Sequence, residues 1–477
     1  MDHNPALSGG TEAAPRPLGN TAKSSSGGEG VEKPANARLK RVERYQALSQ
    51  ARAWLWPAAK AIGGENPGDV FRTIDCRWAR RSENVEVHFS ALHQSAHYGK
   101  LTTCGSVWAC PVCCATIQQR RRPEVAAMID WTYGNASQEG PKRLGEAQMV
   151  TFTFPHTKFD SLADLLSKQR DAFKRLRSGD VWQRFKSRYA FSGLIRSLEL
   201  TVGRNGWHPH THELWATRPL EKREQAFFLE TLRERWLKSC TAAGLLDGAD
   251  PVKVRQFLAH AVDVRFKASG SDYLAKQDTG RAWGVDREIA TSSSKAGRAS
   301  GIHPHELLVR QAPGDAALFL EFVQGMKGQR QLYWSSRLKG RVGLQDKTDE
   351  DLIEEETEKA ELLGLLTPDQ WRLVRGNDAR AELLNAAELA GWVGVLRVLR
   401  ALGCQLNPYE LYQLQQVNGV LLGHADQTFD CFQFRHFLAS PLAVVPSKNL
   451  PLVSSSIRFQ RIAASTLCVS HDPRRCF

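Results

Sequence analysis

The sequence predicts an α+β fold in which an antiparallel sheet is flanked by helices, and three observations support this prediction. The run Gln148–Phe154 is β-rich and alternating, and Pro155 stops it as it would stop a strand. Two further strand-like segments, 193–202 and 207–216, are separated by Gly203-Arg204-Asn205-Gly206, a strong hairpin signal. The third observation is helical periodicity in the intervening stretches, which cover residues 161–188 and about 220–243.

A last strand near Val262–Phe266 completes the order of this region. The order β-α-β-β-α-β is typical of a ferredoxin-like sheet. From about residue 349 to 402 the pattern is helical and contains no cluster of catalytic residue types. We therefore expect a sheet-bearing middle region followed by a helical C-terminal region.

Length and charge narrow the function classes. The chain has 477 residues, enough for about two or three domains, and its net charge of +13 favours a polyanionic partner such as DNA. The sequence has neither an apolar run long enough to span a membrane nor an apolar N-terminal signal, so we expect a cytoplasmic protein that uses no membrane. In that reducing compartment, clustered cysteines bind metal more often than they form disulfides.

Composition and motifs divide the chain into five expected segments. These are a disordered tail at 1–38, a helix plus cysteine-rich segment at 39–140, a catalytic domain at 141–345, a helical region at 346–440, and an irregular tail at 441–477.

The strand after the turn carries three histidines at alternate positions. Since side chains at i, i+2 and i+4 share one face of a strand, His208, His210 and His212 line up together. Glu199 joins this face opposite His212 if the hairpin loop has two residues, or opposite His210 if it has four; a three-residue loop would turn it away. Imidazoles and a carboxylate on a rigid hairpin predict a divalent-metal site, and such a metal polarises a phosphate oxygen.

A tyrosine and a lysine follow the last strand at helical spacing. Ser269, Ser271 or Asp272 can cap a helix, which places Tyr273 in its first turn and Lys276 on the same face. The free N–H groups of a helix N-terminus favour a bound phosphate. Because tyrosine ionises near pH ~10, a phenolate nucleophile needs a nearby cation, and a lysine supplies one.

A cysteine cluster precedes the catalytic region. Cys110 and Cys113 have the spacing of a zinc knuckle, and Cys104 is a third ligand. The fourth ligand is Cys76, with His97 or His93 as alternatives, whereas Cys114 is expected to pack rather than bind metal. Three arginines follow directly. The segment is therefore interpreted as a DNA-binding module that is stabilised by zinc and contacts DNA through Arg120, Arg121 and Arg122.

Taken together, these residues resemble the plasmid rolling-circle replication initiators, within the superfamily of histidine-hydrophobe-histidine (HUH) endonucleases. The resemblance spans about residues 76–345. It is carried by three motifs, Thr151-Phe152-Thr153, the hairpin from Glu199 to His212, and Tyr273-Leu274-Ala275-Lys276. The cysteine cluster and three later segments also resemble the family, namely Lys295-Ala296-Gly297, Glu306-Leu307-Leu308 and Trp334-Ser335-Ser336-Arg337-Leu338-Lys339.

The resemblance implies a mechanism. His210, His212 and Glu199, with His208 as a further candidate, hold Mg²⁺ or Mn²⁺, and Tyr273 attacks the scissile phosphorus. Lys276 offsets the charge on the phosphate and the phenolate. The products are a 5′-phosphotyrosyl link and a 3′-OH that primes synthesis from origin DNA, with a host helicase and a host DNA polymerase as partners. A homodimer is left open.

Two departures from the family pattern and three rival interpretations accompany this prediction. Ser269 stands where some members have a glutamate that serves the terminating cleavage, and the nearest acid is Asp272. Thr211 stands where a hydrophobe is usual, although a β-branched residue suits a strand.

The rivals are a transposase or conjugative relaxase of the same superfamily, a non-enzymatic zinc DNA-binding regulator, and a zinc-dependent hydrolase that would not need Tyr273.

Overall fold

The structure, a computed structural model, describes residues 34–63, 65–91, 93–134, 145–268, 301–354 and 360–421. The expected C-terminal tail, most of the expected N-terminal tail, and the segment with Tyr273 and Lys276 lie outside the described residues. The described helices are α1 (Pro34–Ile62), α2 (Pro67–Val70), α3 (Pro111–Tyr133), α4 (Leu162–Leu176), α5 (Gly179–Arg188), α6 (Lys222–Ala242), α7 (Pro251–His260), α8 (Glu306–Arg310), α9 (Asp315–Gly325), α10 (Leu338–Val342), α11 (Asp349–Glu354), α12 (Pro368–Gly376), α13 (Arg380–Ala401) and α14 (Pro408–Leu421). None of them combines the length and the apolar character needed to cross a bilayer.

The described strands form two antiparallel sheets. The strands are β1 (Val85–Ser90), β2 (Ser95–Gly99), β3 (Glu146–Phe152), β4 (Gly193–Gly203), β5 (Gly206–Thr217), β6 (Val262–Arg265), β7 (Leu332–Trp334) and β8 (Glu361–Leu366). The larger sheet has the order β6-β3-β5-β4-β7, and the smaller one has the order β2-β1-β8.

The larger sheet confirms the predicted fold class. Its first four strands occur along the chain as β3, β4, β5 and β6, with α4 and α5 in the first crossover and α6 and α7 in the second. This is the predicted β-α-β-β-α-β order. Each of the two crossovers was predicted to contain one helix, and each contains two. Beyond that order, β7 pairs with β4 over Ile195–Ser197 and extends the sheet by one strand.

One face of the larger sheet is buried under an aromatic layer. Phe152 of β3 and Trp215 of β5 point to this face, and their rings lie 6.3 Å apart. Trp236 of α6 packs 5.1 Å from Phe152, and Phe173 of α4 packs 5.5 Å from it. Large aromatic side chains bury much apolar area each, so helices α4 and α6 are fixed on this face.

The other face of the sheet is covered over only part of its length. Met149 of β3 and Leu214 of β5 pack there against Val125 and Met128 of α3. Further along the same strands, the residues on this face change from apolar to polar, beginning with Thr151 and its pairing partner His212. The packing of α3 therefore leaves the polar half of this face available for a site.

The smaller sheet joins residues that are far apart in the sequence. β8, near residue 360, pairs with β1 from Val85↔Leu366 to Phe89↔Glu361, so one strand interrupts the stretch predicted as helical. A hydrophobic cluster holds the sheet to α1, α12 and α13; it includes Tyr45, Val87, Tyr98, Trp371 and Leu396.

Candidate metal centre on the β4–β5 hairpin

The hairpin brings Glu199 and the histidines onto one face of the sheet. In the register of β4 and β5, Glu199 lies opposite His210, and the strands meet at Gly203↔Gly206 around a two-residue turn, Arg204–Asn205. This is the pairing expected for the four-residue loop, and the two-residue turn produces it because it is centred between Arg204 and Asn205, one residue earlier than a turn at Asn205–Gly206 would be. The alternation predicted the shared face of the histidines, whereas both the face and the register of Glu199 depend on the turn.

Three side chains converge at this point. The Nε2 atom of His210 lies 3.2 Å from Glu199 Oε2, and the Nε2 atom of His212 lies 3.3 Å from the same oxygen. One ligand atom from each residue lies within 4.8 Å of the others, a spacing at which a single cation can contact all three. Thr211, between the two histidines, points to the opposite face and is 1% exposed, so it serves as a core residue.

Hydrogen bonds orient both imidazoles toward Glu199. The Nδ1 atom of His212 lies 2.9 Å from Thr151 Oγ1 on β3, and the Nδ1 atom of His210 donates to the carbonyl of His208 at 3.4 Å. When Nδ1 carries the proton, the Nε2 lone pair faces the carboxylate. Partners of this kind on the second ring nitrogen are characteristic of metal-binding histidines. Thr151 was assigned to a motif from the sequence, but its partner was not predicted.

The electrostatics of Glu199 fit a bound cation. Burial favours the neutral acid, but the hydrogen bonds and charge of His210 and His212 outweigh burial and hold the pKa of Glu199 well below its ordinary value. Its second oxygen, Oε1, is buried and has no hydrogen-bond partner among the described residues. A buried carboxylate oxygen without a partner is costly, and a divalent cation would satisfy it.

The structure does not bring His208 into this group. Its Nε2 atom is hydrogen-bonded to Thr153 Oγ1 at 2.6 Å, and its ring stacks between His156 at 4.7 Å and His210 at 4.9 Å. Burial, together with the neighbouring His210 and His156, lowers the pKa of His208 to about 3. His208 is thus a neutral ring packed beside the group. His156 was not predicted, since it lies beyond the proline that ends β3.

The four cysteines expected to bind zinc lie together in a second group. The Sγ atom of Cys76 lies 3.5 Å from that of Cys113 and 3.6 Å from that of Cys110, and Cys104 lies 3.7 Å from Cys113. All four side chains are buried. The structure therefore selects Cys76 among the predicted alternatives for the fourth position. His97 instead stacks on His88 of β1, with ring centroids 5.3 Å apart.

The cysteine group has the donor set of a structural zinc site. Cys110 caps the N-terminus of α3, where its sulfur accepts the backbone N–H of Cys113 at 3.4 Å. The backbone N–H of Ser106 donates to the sulfur of Cys104, also at 3.4 Å. Burial raises the pKa of Cys104 and Cys110, whereas hydrogen bonds from the other three cysteines lower the pKa of Cys113. Four sulfur ligands at this spacing suit tetrahedral Zn²⁺.

Glu199 of the hairpin group and the arginines of α3 line one cleft. It has a volume of about 3020 Å³, and Glu199, Arg120, Arg121 and Arg122 all line it. Arg121 is committed to ion pairs with Glu124 at 2.7 Å and Asp349 at 2.8 Å. The three arginines were predicted as one DNA-contacting set, but Arg121 also has this structural role.

A segment that the sequence did not single out links the two groups. Ile302 exchanges both backbone hydrogen bonds with Val202 of β4, at 2.8 and 2.9 Å. His305 is hydrogen-bonded to the carbonyl of Trp108 in the cysteine-rich segment, and its backbone N–H donates to His303 Nδ1 at 3.2 Å. Burial lowers the pKa of His303 to about 3 and that of His305 to about 4, so both rings are neutral.

Tyr273 and Lys276 lie outside the described residues, but the chain on both sides of them is placed. Ala268 is 1% exposed and packs with Met149 and Leu214 on the face of the sheet that carries Glu199. On the far side, Ile302 lies against the end of β4. Both ends of this segment are therefore anchored on the larger sheet.

Fold and site together define an α+β protein with a His/His/Glu group and a four-cysteine group, each able to hold a metal ion. No family model matches the chain, and no solved structure matches it. The chain is similar to "Protein rep" of Streptomyces lividans, with 28% identity over 358 aligned residues that cover 60% of this chain and 75% of that protein. It is also similar to "Neomycin resistance protein" of Streptomyces cyanogenus, with 34% identity over 140 residues covering 24% of this chain and 30% of that protein.

Proposed function

We propose that this protein initiates plasmid rolling-circle replication by nicking one strand of origin DNA with a tyrosine nucleophile. The observation that carries the proposal is the convergence of Glu199, His210 and His212 on one hairpin. The similarity to "Protein rep" supports a role in replication. The family resemblance of the three motifs in residues 76–345 supports the chemistry.

The hairpin group would hold Mg²⁺ or Mn²⁺. When bound, the ion supplies Lewis-acid polarisation of the scissile phosphate. The protein's contribution is orientation: the Thr151 hydroxyl and the His208 carbonyl fix the two imidazoles, and the ionised Glu199 supplies the negative charge that a divalent cation needs.

The covalent step belongs to Tyr273 in this proposal. Its phenolic oxygen gives up its proton to solvent and attacks phosphorus, the bond from phosphorus to the 3′-oxygen breaks, and the 3′-oxygen leaves and takes up a proton from solvent. The products are a 5′-phosphotyrosyl link and a free 3′-OH for a host DNA polymerase, with a host helicase opening the duplex. Lys276, one helical turn after Tyr273 in the sequence prediction, offsets the developing negative charge.

The cysteine group and the cleft complete the proposal. Cys76, Cys104, Cys110 and Cys113 hold a structural Zn²⁺ that fixes the start of α3. Arg120, Arg121 and Arg122 line the same cleft as Glu199 and contact phosphates of the DNA in this proposal. We infer that the protein works in the cytoplasm, where the cysteines stay reduced.

A covalent-adduct assay tests the proposal. Purified full-length protein is incubated with labelled single-stranded DNA from the plasmid that carries its gene, with Mn²⁺ or with EDTA, and analysed on a denaturing gel. We expect a Mn²⁺-dependent protein–DNA adduct that is lost in Tyr273→Phe. Glu199→Gln removes the negative charge at similar size, and we expect at least about a 100-fold loss of nicking, in line with loss of a metal ligand.

The other outcomes point to different functions. Cleavage that survives in Tyr273→Phe without an adduct would mean that the histidines serve a hydrolase. DNA binding without cleavage on any fragment of the plasmid would favour the zinc-dependent regulator. Adduct formation together with transposition or conjugal transfer, but without autonomous replication of a miniplasmid, would favour a transposase or relaxase.

A further inference from the structure

The turn after β3 carries an exposed aromatic ring close to the hairpin group. Phe159 is 85% exposed, the largest value for any large hydrophobic side chain in the part of the chain that the structure describes. The ammonium group of Lys158 lies 5.1 Å from the centroid of this ring. A phenylalanine in that position gains nothing from burial, although burying it would stabilise the fold by roughly 1.5–3 kcal/mol.

The backbone of this turn is held in place. The carboxylate of Asp160 accepts hydrogen bonds from the backbone N–H of Thr157 at 2.7 Å and from its hydroxyl at 2.8 Å. The turn also rests on the hairpin at Gly206, which has a φ of +83°. A Cβ there would lie 2.8 Å from the Cα of Lys158 and from the carbonyl oxygen of Thr157. Phe159 is therefore presented to solvent by a defined backbone.

A column of stacked rings connects the turn to the hairpin group. His156, which immediately precedes the turn, stacks on His208 at an interplanar angle of 12°, and His208 stacks on His210 at 26°. Gly206, where the turn rests, is four residues from His210 along β5, a distance of about 13 Å. That is the span of a few nucleotides at about 3.4 Å or more each.

We propose that Phe159 and Lys158 form a stacking subsite for a nucleobase of single-stranded DNA whose phosphate backbone reaches Glu199, His210 and His212. This inference rests on the proposed function. An exposed ring provides an apolar face for a base of any identity, and the adjacent ammonium group attracts the flanking phosphate. Together these are the two elements of sequence-tolerant single-strand binding.

A second exposed phenylalanine offers a matched control. Phe227 on α6 is 48% exposed, and the guanidinium of Arg188 lies 4.5 Å from its ring centroid. It has the same pairing of ring and cation as Phe159. However, α6 belongs to the layer that covers the opposite face of the sheet, where its Trp236 packs on Phe152. Nucleobase stacking near the hairpin group should depend on Phe159 and not on Phe227.

Equilibrium binding of a fluorescein-labelled, mixed-sequence single-stranded oligonucleotide tests this subsite. All variants are made in the Tyr273→Phe protein and measured by anisotropy without added Mn²⁺, so that no cleavage intervenes. Phe159→Ala should weaken binding by about 5- to 150-fold, corresponding to ~1–3 kcal/mol for one stacked base. Phe159→Trp should restore the affinity, and its added fluorescence should be quenched by the oligonucleotide. Lys158→Ala should reduce the slope of log K against log salt by about 0.7.

The subsite is overturned if Phe159→Ala binds like its parent or if Phe227→Ala weakens binding equally. Nicking by a protein with an intact active site separates this result from the proposed function. If the wild type forms the adduct but Phe159 does not affect binding, only the subsite is wrong. If binding depends on Phe159 but no adduct forms with Mn²⁺, the subsite stands as a strand-binding feature and the nickase proposal fails.

Discussion

Thr151 of β3 and Thr153, the first residue beyond the end of this strand, hold different histidines. Thr151 is hydrogen-bonded to His212, whose Nε2 faces Glu199, whereas Thr153 is hydrogen-bonded to the Nε2 of His208. The two threonines therefore form a matched pair for separating the histidine proposed to bind metal from the packed one. Replacing either threonine with valine keeps the β-branched shape and exchanges only the hydroxyl for a methyl group.

We expect Thr151→Val to lower the affinity for Mn²⁺ or the rate of nicking by about 10- to 100-fold, the usual effect of losing the partner of a metal-binding histidine. Thr153→Val should change both by far less, because His208 is outside the group. Mn²⁺ titrations followed by calorimetry and by nicking rate measure these effects. Equal effects of the two substitutions would make His208 a ligand after all.

At the residue scale, the sequence was sufficient where the two-residue repeat of a strand determines which side chains share a face. Strand alternation placed the histidines on one face without a structure, and it placed Glu199 with them on condition that the hairpin loop had two or four residues. It was not sufficient for contacts between distant segments. The stacking of His156 on His208 depends on the turn after β3, and the position of His303 depends on the pairing of Ile302 with Val202.

At the scale of elements, helix α3 begins where the cysteine group ends. Cys110 is its N-cap and Cys113 lies in its first turn, so the four sulfurs and the helix start are one unit. The same helix covers part of the larger sheet through Val125 and Met128. Loss of a metal at its N-terminus would therefore affect the packing of the sheet as well as the cysteine-rich segment.

We expect the purified protein to contain one zinc ion and Cys110→Ser to lose it. The melting temperature should fall by about 5 °C or more, since each kcal/mol corresponds to about 2–4 °C for a domain of 150–250 residues. Zinc content is measured by mass spectrometry and the melting temperature by thermal unfolding. Cys404→Ser, at a half-buried cysteine outside the group, should retain the zinc. A wild-type protein without zinc would contradict this prediction.

The sequence predicted the elements of the larger sheet better than those of the smaller one. The hairpin has a strong turn signal, and the helices around it have regular periodicity. β8 has neither, because Glu361-Leu362-Leu363-Gly364-Leu365-Leu366 does not alternate and lies between helical patterns. It becomes a strand only by pairing with β1, more than 270 residues earlier in the chain, and local pattern carries no information on such a contact.

At the scale of the whole molecule, neutral histidines connect the segment after residue 300 to the cysteine-rich segment. His305 is 4% exposed and is hydrogen-bonded to the carbonyl of Trp108, while its own backbone N–H donates to His303. Burial lowers the pKa of His305 to about 4, below the value near ~6.5 of an unfolded chain. Folding therefore favours the neutral ring.

Acid should weaken this connection. Below pH ~6.5 the unfolded chain takes up a proton at residue 305 that the folded protein does not, so the contribution of His305 to stability falls as the pH approaches 4. By pH 5 the loss is about 2 kcal/mol at ~1.4 kcal/mol per pH unit. His305→Gln keeps a donor for Trp108 but does not titrate, so its melting temperature should fall less between pH 7 and 5 than that of the wild type.

His260→Gln is the control for this substitution, because the side chain of His260 is exposed at the end of α7. Its pH profile should match that of the wild type. Parallel profiles for wild type and His305→Gln would show that His305 does not contribute to acid sensitivity.

The pairing of β1 with β8 also has a consequence for biosynthesis. β1 is the central strand of its sheet, and β2 can pair with it as soon as residue 99 has been made. Its other edge has to wait for residues 361–366 to leave the ribosome, which at about 5–20 residues per second takes roughly 10 to 60 s. During that interval the nascent chain exposes an unpaired strand edge, a known starting point for aggregation. A polypeptide terminated between the two strands would keep that edge open, so premature stop codons upstream of residue 361 should yield insoluble chains even where all the residues proposed to nick DNA are present.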